Sequence, residues 1–375
     1  MYAKNNKTIV ITANTSWYVF NFRKNTIISL LKQGYNVTVL APQDDYTDRL
    51  LTLGCEFKHI DIDKSGTNFI KDIKSIVQFY NFYRKNRVSA VLNFTPKNNI
   101  YSTIAANMND IKSINNIAGL GAVFVKKNLL TCLVKKLYKF SQERATFVFF
   151  QNKEDKKIFD EANINISGFD ILPGSGVDLT RFGLCEVADD GRVVFALVAR
   201  LLIEKGIFEY AQAASNLKAR YKDDVRFLLI GFTDASNPRS VTREQIEFWV
   251  NEGNIDYSGP VDDVESILKN VDCIVLPSYY REGVPKSLLE AAAMGKPIVT
   301  TDNVGCRDVV DDGITGYLCQ SRSVADLSEK MEMIINLSHQ ERVNMGLRGR
   351  EKIENQFDER IVIDKYLAII EDVCN

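Results

Sequence analysis

The residue types best suited to chemistry lie together in the segment REGVPKSLLEA, positions 281–291, which follows an apolar strand. A Gly-Pro loop that leads into a helix leaves several backbone N–H groups without partners. Those groups and the positive end of the helix dipole form a binding site for an anion. We expect Ser287 to be the N-cap of the helix. Glu290 lies one turn further in, where its carboxylate accepts hydrogen bonds from vicinal hydroxyls such as those of a ribose. The alternative is an ordinary helix cap with solvated acids.

A second segment, ARLLIEKG at positions 199–206, follows the strand that opens the second half of the chain. Ligands of α/β proteins bind at the carboxyl ends of parallel strands, and this segment is expected there. The planar fork of Arg200 and the point charge of Lys205 together suit a diphosphate. Gly206 then opens a helix. The alternative is a surface loop with a charged pair.

Two loops of the first half, FTPKNN from Phe94 and NIAGLG from Asn116, also follow predicted strands. Gly119 and Gly121 permit tight backbone turns near a ligand. Lys97 is placed to meet a phosphate or a hydroxyl group. Ordinary turn chemistry is the alternative for each loop.

Strands and helices alternate along the chain, a pattern typical of a parallel sheet covered on both faces by helices. The series begins at Lys7–Thr12 and restarts at Arg192–Ala199. Two successive doubly wound units therefore predict an α/β protein of two Rossmann-like domains, with a cleft between the carboxyl ends of their strands. The linker is expected near Asp178–Asp190. The expected domains are residues 1–183 and 184–358, with a helix of about 359–375 that packs back on the first.

Hydrophobic periodicity also predicts the individual elements. The helices are expected at Phe22–Gln33, Phe69–Lys85, Leu129–Arg144, Ile207–Tyr221 and Ser287–Met294. The further strands are expected at Asn36–Ala41, Phe57–Ile62, Ala90–Phe94, Lys112–Asn116, Thr146–Gln151, Val225–Ile230, Val271–Leu276 and Pro297–Thr300.

The composition is that of a soluble globular protein, with 45% hydrophobic and 25% charged residues among 375. The seven cysteines form no CxxC pair, which argues against a zinc site or a disulfide framework and favours a reducing cytoplasm. No apolar run approaches the ~20 residues that span a bilayer, and the N-terminus lacks a signal-peptide pattern. Asp61-Ile62-Asp63 spells a DxD, which we interpret as surface acids and not as a metal site.

The two halves of the chain carry opposite net charges. Residues 1–185 contain 25 Lys and Arg against 15 Asp and Glu, whereas residues 186–375 contain 22 against 33. A basic first half indicates an anionic partner such as phosphate or lipid headgroups, unless the charges serve attraction between the two domains. No nucleic-acid-binding motif accompanies the charge, so no nucleic-acid partner is expected.

The motifs of the second half together resemble family 4 of the retaining GT-B glycosyltransferases. The order is strand–R–x₄–KG, then Gly259-Pro260-Val261, then E–G–x–P–x₃–L–E–A, and the Glu282-x₇-Glu290 pair is the family's best-known mark. The resemblance covers nearly the whole second half. It implies the GT-B fold, in which two Rossmann-like domains face each other across a cleft, and transfer of a sugar from a nucleotide diphosphate.

The resemblance also implies roles for single residues. Arg200 and Lys205 would bind the donor diphosphate, Glu282 the donor sugar and Glu290 the ribose, while Val261 would lie near the base. Arg200, Lys205 and Glu282 are then the expected catalytic residues. The full expected donor set is Arg200, Lys205, Val261, Glu282, Gly283, Val284, Pro285, Lys286, Ser287, Leu288 and Glu290. No metal or other cofactor is expected.

The first half is similar to a narrower subgroup, which builds bacterial O-antigens, capsules and lipid-linked oligosaccharides. The similarity implies a UDP-linked hexose or N-acetylhexosamine as donor and a lipid-diphosphate-linked saccharide as acceptor. The expected acceptor-side residues are Thr15, Ser16, Lys97, Gly119 and Gly121. The chain departs from many relatives because its first loop, ANTSW, lacks the usual glycine pair, although Thr15 or Ser16 can still cap the following helix.

Histidine chemistry is not expected. The chain contains only His59 and His339, the first in a predicted strand and the second in a distal helical segment. A sugar-nucleotide epimerase of the same fold needs acid and base residues for proton transfer, so the scarcity of histidine weakens that alternative. A non-catalytic nucleotide-binding protein is a further alternative. A dehydrogenase is disfavoured because no GxGxxG follows either first strand.

A basic amphipathic stretch, AVFVKKNLLTCLVKKLYKFS at 122–141, suits the surface of an anionic bilayer. Phe69–Arg87 adds aromatic and cationic residues. We therefore expect a cytoplasmic protein bound peripherally to the inner face of the bacterial cytoplasmic membrane. The alternative is a core-facing helix with a solvated lysine face.

Overall fold

The computed structural model describes residues 7–63, 69–120, 129–235, 237–281 and 283–374. The chain divides into two compact units, Met1–Leu172 together with Arg360–Asn375, and Pro173–Glu359.

The division falls at Leu172, before the expected boundary at 183. The reason is that the intervening residues join the second unit: Phe182 is buried in one of its cores, and the Val177 amide donates to the Phe357 carbonyl at 2.9 Å.

A parallel sheet of seven strands, in the order β3-β2-β1-β4-β5-β6-β7, forms the centre of the first unit. Its strands alternate between two cores, as Ile9 and Ile11 face one side and Val10 the other. The strands are β1 Thr8–Thr12, β2 Asn36–Ala41, β3 Glu56–His59, β4 Ala90–Phe94, β5 Lys112–Ile117, β6 Phe147–Phe150 and β7 Phe169–Ile171.

Helices cover both faces of this sheet. The helices are α1 Ser16–Lys32, α2 Thr47–Leu51, α3 Phe69–Lys85, α4 Pro96–Asn107, α5 Leu129–Gln142, α6 Lys153–Glu161 and α13 Glu359–Cys374. One face holds α1, α2 and α13, and the other holds α3 to α6. Three residues of α13, Val362, Tyr366 and Ile370, are fully or almost fully buried in the core of the first unit.

The second unit has a parallel sheet of six strands in the order β10-β9-β8-β11-β12-β13. The strands are β8 Val193–Val198, β9 Val225–Ile230, β10 Asp256–Gly259, β11 Cys273–Leu276, β12 Ile298–Thr301 and β13 Gly316–Cys319. The helices are α7 Ile207–Tyr221, α8 Arg243–Asn251, α9 Val264–Leu268, α10 Lys286–Ala293, α11 Val324–Asn336 and α12 His339–Gln356. Helices α7, α8 and α11 pack on one face, and α9 and α10 on the other together with much of α12.

The two doubly wound units confirm the predicted fold class, and differences occur at element ends. Helix α1 begins at Ser16 and not at Phe22, because the Thr15 hydroxyl accepts the Tyr18 amide and caps the helix. Strand β3 ends before Ile62 because the Asp61 amide donates to the Gln78 side chain. The short strands β7, β10 and β13 carry too little periodicity to be predicted from the sequence.

Candidate active site

The two predicted anion-binding segments of the second unit meet at the carboxyl edge of its sheet. They follow β8 and β11, which are neighbours in the sheet. The Glu204 carbonyl accepts the Tyr279 amide at 3.0 Å and the Ser278 hydroxyl at 3.2 Å. These bonds hold the loop after β8 against the loop that leads to α10.

Gly206 makes this close approach possible. Its φ of 76° is the left-handed conformation that favours glycine, and a Cβ there would lie 2.3 Å from the Pro277 carbonyl oxygen. Gly206 is also the N-cap of α7 and offers no side-chain oxygen to the first helical amides. Lys205 is half-buried beside it, and Arg200 is exposed.

Helix α10 also begins without a side-chain cap, since its N-cap residue is Pro285. The prediction that Ser287 is the N-cap is wrong, because the chain is already helical at Lys286 and Ser287 occupies the second position. Other helices of this unit, α8, α11 and α12, have Thr or Ser caps that accept amide hydrogens. Among the described residues, no side-chain oxygen caps the positive end of α10, as an anion site requires.

Glu290 and Lys286 lie on one face of α10. The Lys286 Nζ and Glu290 Oε1 atoms are 3.9 Å apart, and the two side chains are only 21% and 14% exposed. Burial raises the pKa of Glu290 above its ordinary value, while Lys286 and Arg181 act in the opposite direction. The carboxylate is thus a poorly hydrated acceptor one turn inside the helix.

The remaining residues that we predicted to bind the donor have varied surroundings. Val284 and Leu288 are buried and contribute to the hydrophobic core. Val284 packs on Gly174, where an added Cβ would lie 2.7 Å from the Val284 Cβ. Gly283 and Pro285 are buried, and Val261 is half-buried just beyond β10. Glu282 lies outside the described residues.

In the first unit, Thr95 marks the carboxyl end of β4. It has a φ of 71°, which is strained for a residue other than glycine, and its hydroxyl donates to Asn98 Oδ1 at 2.8 Å. Around this turn, three buried amide atoms lack a hydrogen-bond partner among the described residues: Asn98 Nδ2, Asn99 Oδ1 and Asn116 Oδ1. Buried polar atoms rarely stay unpaired, so these atoms are suited to a polar ligand.

Several predicted acceptor-side residues already serve the fold. Lys97 Nζ lies 2.7 Å from the Asp72 carboxylate of α3, so an ion pair holds the cation we expected to meet a phosphate. The buried Ser16 hydroxyl donates to the Pro42 carbonyl at 2.9 Å. Thr15 caps α1. Gly119 has a φ of 99°, as a tight turn requires, and Gly121 lies outside the described residues.

Comparison with known proteins assigns the family. Residues 186–352 match the family model described as "Glycosyl transferases group 1", and residues 8–152 match "Glycosyl transferase 4-like". The chain is a GT-B glycosyltransferase of the family 4 type. Together the two models cover most of the strands and helices of both units of this glycosyltransferase.

Characterised relatives align over most of the glycosyltransferase. A Campylobacter jejuni N,N'-diacetylbacillosaminyl-diphospho-undecaprenol alpha-1,3-N-acetylgalactosaminyltransferase is 27% identical and aligns over 95% of this chain and 96% of its own. An Escherichia coli UDP-Gal:alpha-D-GlcNAc-diphosphoundecaprenol alpha-1,3-galactosyltransferase is 25% identical, over 80% and 79%. Anabaena HepE, solved with UDP and glucose, shares the fold with a TM-score of 0.78 at 14% identity, over 98% of this chain and 100% of its own.

Several residues that hold together the loops at the carboxyl edge of the second sheet were not singled out in the sequence. The Glu204 carboxylate pairs with Arg239 at 2.7 Å, and its carbonyl holds Tyr279. Asn303, just after β12, donates to the Tyr280 carbonyl at 2.9 Å. The available signal was position, because polar residues that follow neighbouring parallel strands meet at one edge of a sheet.

Two further observations concern metal binding and membrane-spanning helices. Asp61 of the DxD sequence contacts His59 Nε2 at 2.9 Å and Lys74 Nζ at 2.8 Å. Among the described residues, no group of three or more His, Cys, Asp or Glu is arranged to hold a metal ion. Within the same residues, every helix is too short or too polar to cross a membrane.

Proposed function

We propose that this enzyme transfers a hexosyl or N-acetylhexosaminyl group, with retention of anomeric configuration, from a UDP-sugar to a lipid-diphosphate-linked saccharide in bacterial surface polysaccharide assembly. The observation that carries the proposal is that the segment leading to α10 is held beside the Arg200–Gly206 loop, and that no described side chain caps the helix. Two relatives named for transfer to diphospho-undecaprenol-linked sugars support the acceptor class, and the name of one specifies UDP-galactose.

In this proposal the second unit binds the leaving diphosphate. Negative charge grows on the diphosphate as the bond to the sugar breaks, and Arg200, Lys205 and the start of α10 stabilise it. Cationic side chains then stabilise the negative charge of the diphosphate, which a metal ion does in other transferases. A donor phosphate oxygen, on the same face of the sugar, accepts the proton of the attacking hydroxyl.

Glu290 would bind the ribose. Its carboxylate is 14% exposed and can accept hydrogen bonds from two vicinal hydroxyls, since the Lys286 ammonium at 3.9 Å lies beyond hydrogen-bond distance. Glu282 would contact the donor sugar, a role that rests on the family resemblance.

Thermal unfolding with nucleotides tests the donor site. Wild type is compared with Arg200→Ala/Lys205→Ala and with a matched control, Arg192→Ala/Lys269→Ala, which removes two exposed cations at other positions of the same unit. A ligand at ~100 times its Kd stabilises by about 2.7 kcal/mol. We expect UDP to stabilise wild type and the control but not the Arg200/Lys205 variant.

The outcomes separate the parts of the proposal. Stabilisation by GDP or ADP and not by UDP would overturn the donor base and keep the diphosphate site. Equal UDP stabilisation of all three proteins would overturn the diphosphate site itself. Transfer assays with a radiolabelled UDP-sugar and a synthetic lipid diphosphate saccharide then test the reaction, and a sugar altered without acceptor would indicate an epimerase.

Exposed apolar residues of the first unit support binding to a membrane surface. Phe69, Ile70, Ile73 and Val77 of α3 are 63%, 79%, 45% and 49% exposed and share one helix face. Helix α4 contacts both α3 and α5. Helix α5 also exposes apolar residues and lysines. Residues 121–128, with two of the predicted lysines, lie outside the described part.

Vesicle sedimentation tests this peripheral association. We expect salt-sensitive binding to anionic phosphatidylglycerol vesicles and weak binding to phosphatidylcholine vesicles. Ile70→Asp/Ile73→Asp should reduce binding, whereas Phe248→Asp, at a 60% exposed position of the second unit, should not. Equal binding by both variants, or no binding by wild type, would contradict the membrane role of α3.

A further inference from the structure

A cavity of about 500 Å³ opens in the second unit at the edge of the sheet opposite the donor loops. Asp272 immediately precedes β11, and Lys296 and Pro297 immediately precede β12, so the cavity lies at the amino ends of these strands. His339 and Arg342, in the first turn of α12, form another wall. The donor loops leave the carboxyl ends, roughly 13 Å away for a four-residue strand.

Four charged side chains line this cavity, and three of them are more than nine-tenths buried, whereas Glu186 is exposed. Asp272, Lys296 and Arg342 are 7%, 2% and 7% exposed. Lys296 Nζ donates to the Cys185 carbonyl at 3.1 Å, and the Val194 amide donates to Asp272 Oδ2 at 2.9 Å. Two buried cations thus face one buried carboxylate, and the second carboxylate of the lining, Glu186, is exposed to solvent.

The guanidinium of Arg342 is only partly used. Nη1 donates to the Leu337 carbonyl at 2.6 Å, but Nε lacks a hydrogen-bond acceptor among the described residues. Its nearest carboxylate oxygen, Asp272 Oδ1, is 3.7 Å away, beyond hydrogen-bond distance. An unsatisfied charged donor in a buried position is costly and calls for a partner.

Apolar side chains complete the cavity. Met294 is fully buried at the end of α10, and Leu184 and Leu347 of the lining have 55% and 45% of their surface exposed. The volume falls within the ~300–1,000 Å³ range of small-molecule sites, and such sites combine apolar walls with a few polar groups.

We propose that this cavity binds a small organic anion, with its carboxylate or phosphate between Arg342 and Lys296 and its apolar body against Met294. The site is separate from the donor loops, and the inference does not depend on which sugar nucleotide the enzyme uses. Carboxylate and phosphate share the chemistry that this wall recognises, since both accept paired hydrogen bonds from a guanidinium.

Methyl NMR of the full-length protein tests the site directly. The protein is labelled with ¹³C-methyl methionine, and Met294→Leu identifies the Met294 signal. Phenyl phosphate and benzoate are the two anionic probes, and benzyl alcohol is the neutral control of similar shape. We expect a saturable shift of the Met294 methyl with at least one anion and none with benzyl alcohol. The anion that binds more tightly identifies the headgroup class.

Conservative variants on one helix locate the binding group. Arg342→Lys keeps the charge but removes Nε and the planar fork, and should weaken anion binding about tenfold, the equivalent of one lost charge-assisted hydrogen bond. Arg348→Lys is the matched control, because Arg348 is exposed on the same helix and its Nε donates to the Ile314 carbonyl at 2.9 Å. Equal affinities of the two variants would overturn the assignment.

A second measurement on wild type covers the case in which Arg342→Lys does not fold. Cys185 lines the cavity and is half-buried, whereas Cys132 of the first unit is exposed. Phenyl phosphate or benzoate should slow the alkylation of Cys185, as measured by peptide mass spectrometry. The alkylation rate of Cys132 should not change. Unchanged Cys185 alkylation together with an unmoved Met294 signal would overturn the proposal.

Discussion

Substitution of Gly206 by alanine tests whether close approach of two loops builds the donor site. The left-handed backbone at φ 76° costs a residue with a side chain about 1 kcal/mol. The new Cβ would lie 2.3 Å from the Pro277 carbonyl oxygen, where ordinary contact begins at 3.4 Å. The loops must therefore move apart by about 1 Å, and the obstacle is backbone, which yields less easily than a flexible side chain.

That movement has a kinetic and a thermodynamic consequence. It displaces Lys205 and strains the bond between the Glu204 carbonyl and the Tyr279 amide. A misplacement of 1 Å costs ~10²-fold in rate, so we expect kcat/KM for the donor to fall about 100-fold. Backbone strain together with one or two weakened hydrogen bonds should lower the free energy of unfolding by about 2–3 kcal/mol.

Gly253→Ala provides the matched control. Gly253 has a φ of 71°, but a Cβ there meets no atom within 4 Å. It should lose only the conformational cost of about 1 kcal/mol and keep donor kinetics unchanged. Urea unfolding measures the stability of both variants, and calorimetric titration with UDP measures affinity. If Gly206→Ala matches Gly253→Ala in stability, affinity and rate, the close-approach reasoning is wrong.

Three further predictions concern charged groups. Glu290→Gln should raise the melting temperature at neutral pH, because burial raises the folded-state pKa of Glu290 and disfavours its ionised form. The difference in melting temperature from wild type should grow as pH rises above 4.5. The affinity of the variant for the donor should fall. Thermal scans from pH 4.5 to 8 check this, and a gain that shrinks with rising pH would contradict it. Chelation with EDTA and the variant Asp61→Asn should each leave transfer rates within about twofold of wild type, and a large loss in either assay would favour metal catalysis. Lys97→Met should destabilise the protein by about 1–3 kcal/mol by removing the cation that pairs with Asp72, and Asp72→Asn in the same chain should recover part of the loss. A higher acceptor KM without destabilisation would instead place Lys97 at the acceptor.

Local sequence was sufficient where an element is long and strongly periodic. Helix Ile207–Tyr221 and strand Val225–Ile230 have the bounds that periodicity predicts. The start of α10 after a proline loop was also predictable in outline, since the loop and the helix are adjacent in sequence. Only the cap differed, because Ser287 resembles a cap residue while Pro285 already fixes a φ of −65° that suits a helix start.

Contacts between distant residues could not be predicted from the sequence. The Glu204 carbonyl and the Ser278 hydroxyl are 74 positions apart, and their bond depends on the pairing of β8 with β11. Lys97 has the type and loop position of a ligand-binding cation, but Asp72 of α3 pairs with it across 25 positions. In both cases tertiary packing decided the partner, and a single sequence contains no record of it.

The placement of α13 has a consequence for how the protein is made. Val362, Tyr366 and Ile370 fill the core of the first unit, and the Asn116 amide meets the Tyr366 hydroxyl there. During synthesis these residues leave the ribosome only after all of Pro173–Glu359. The second unit is continuous in sequence and can fold as soon as it emerges. The core of the first unit stays incomplete until the residues of α13 have been synthesised. We therefore expect the core of the N-terminal unit to be completed last, after α13 has been synthesised.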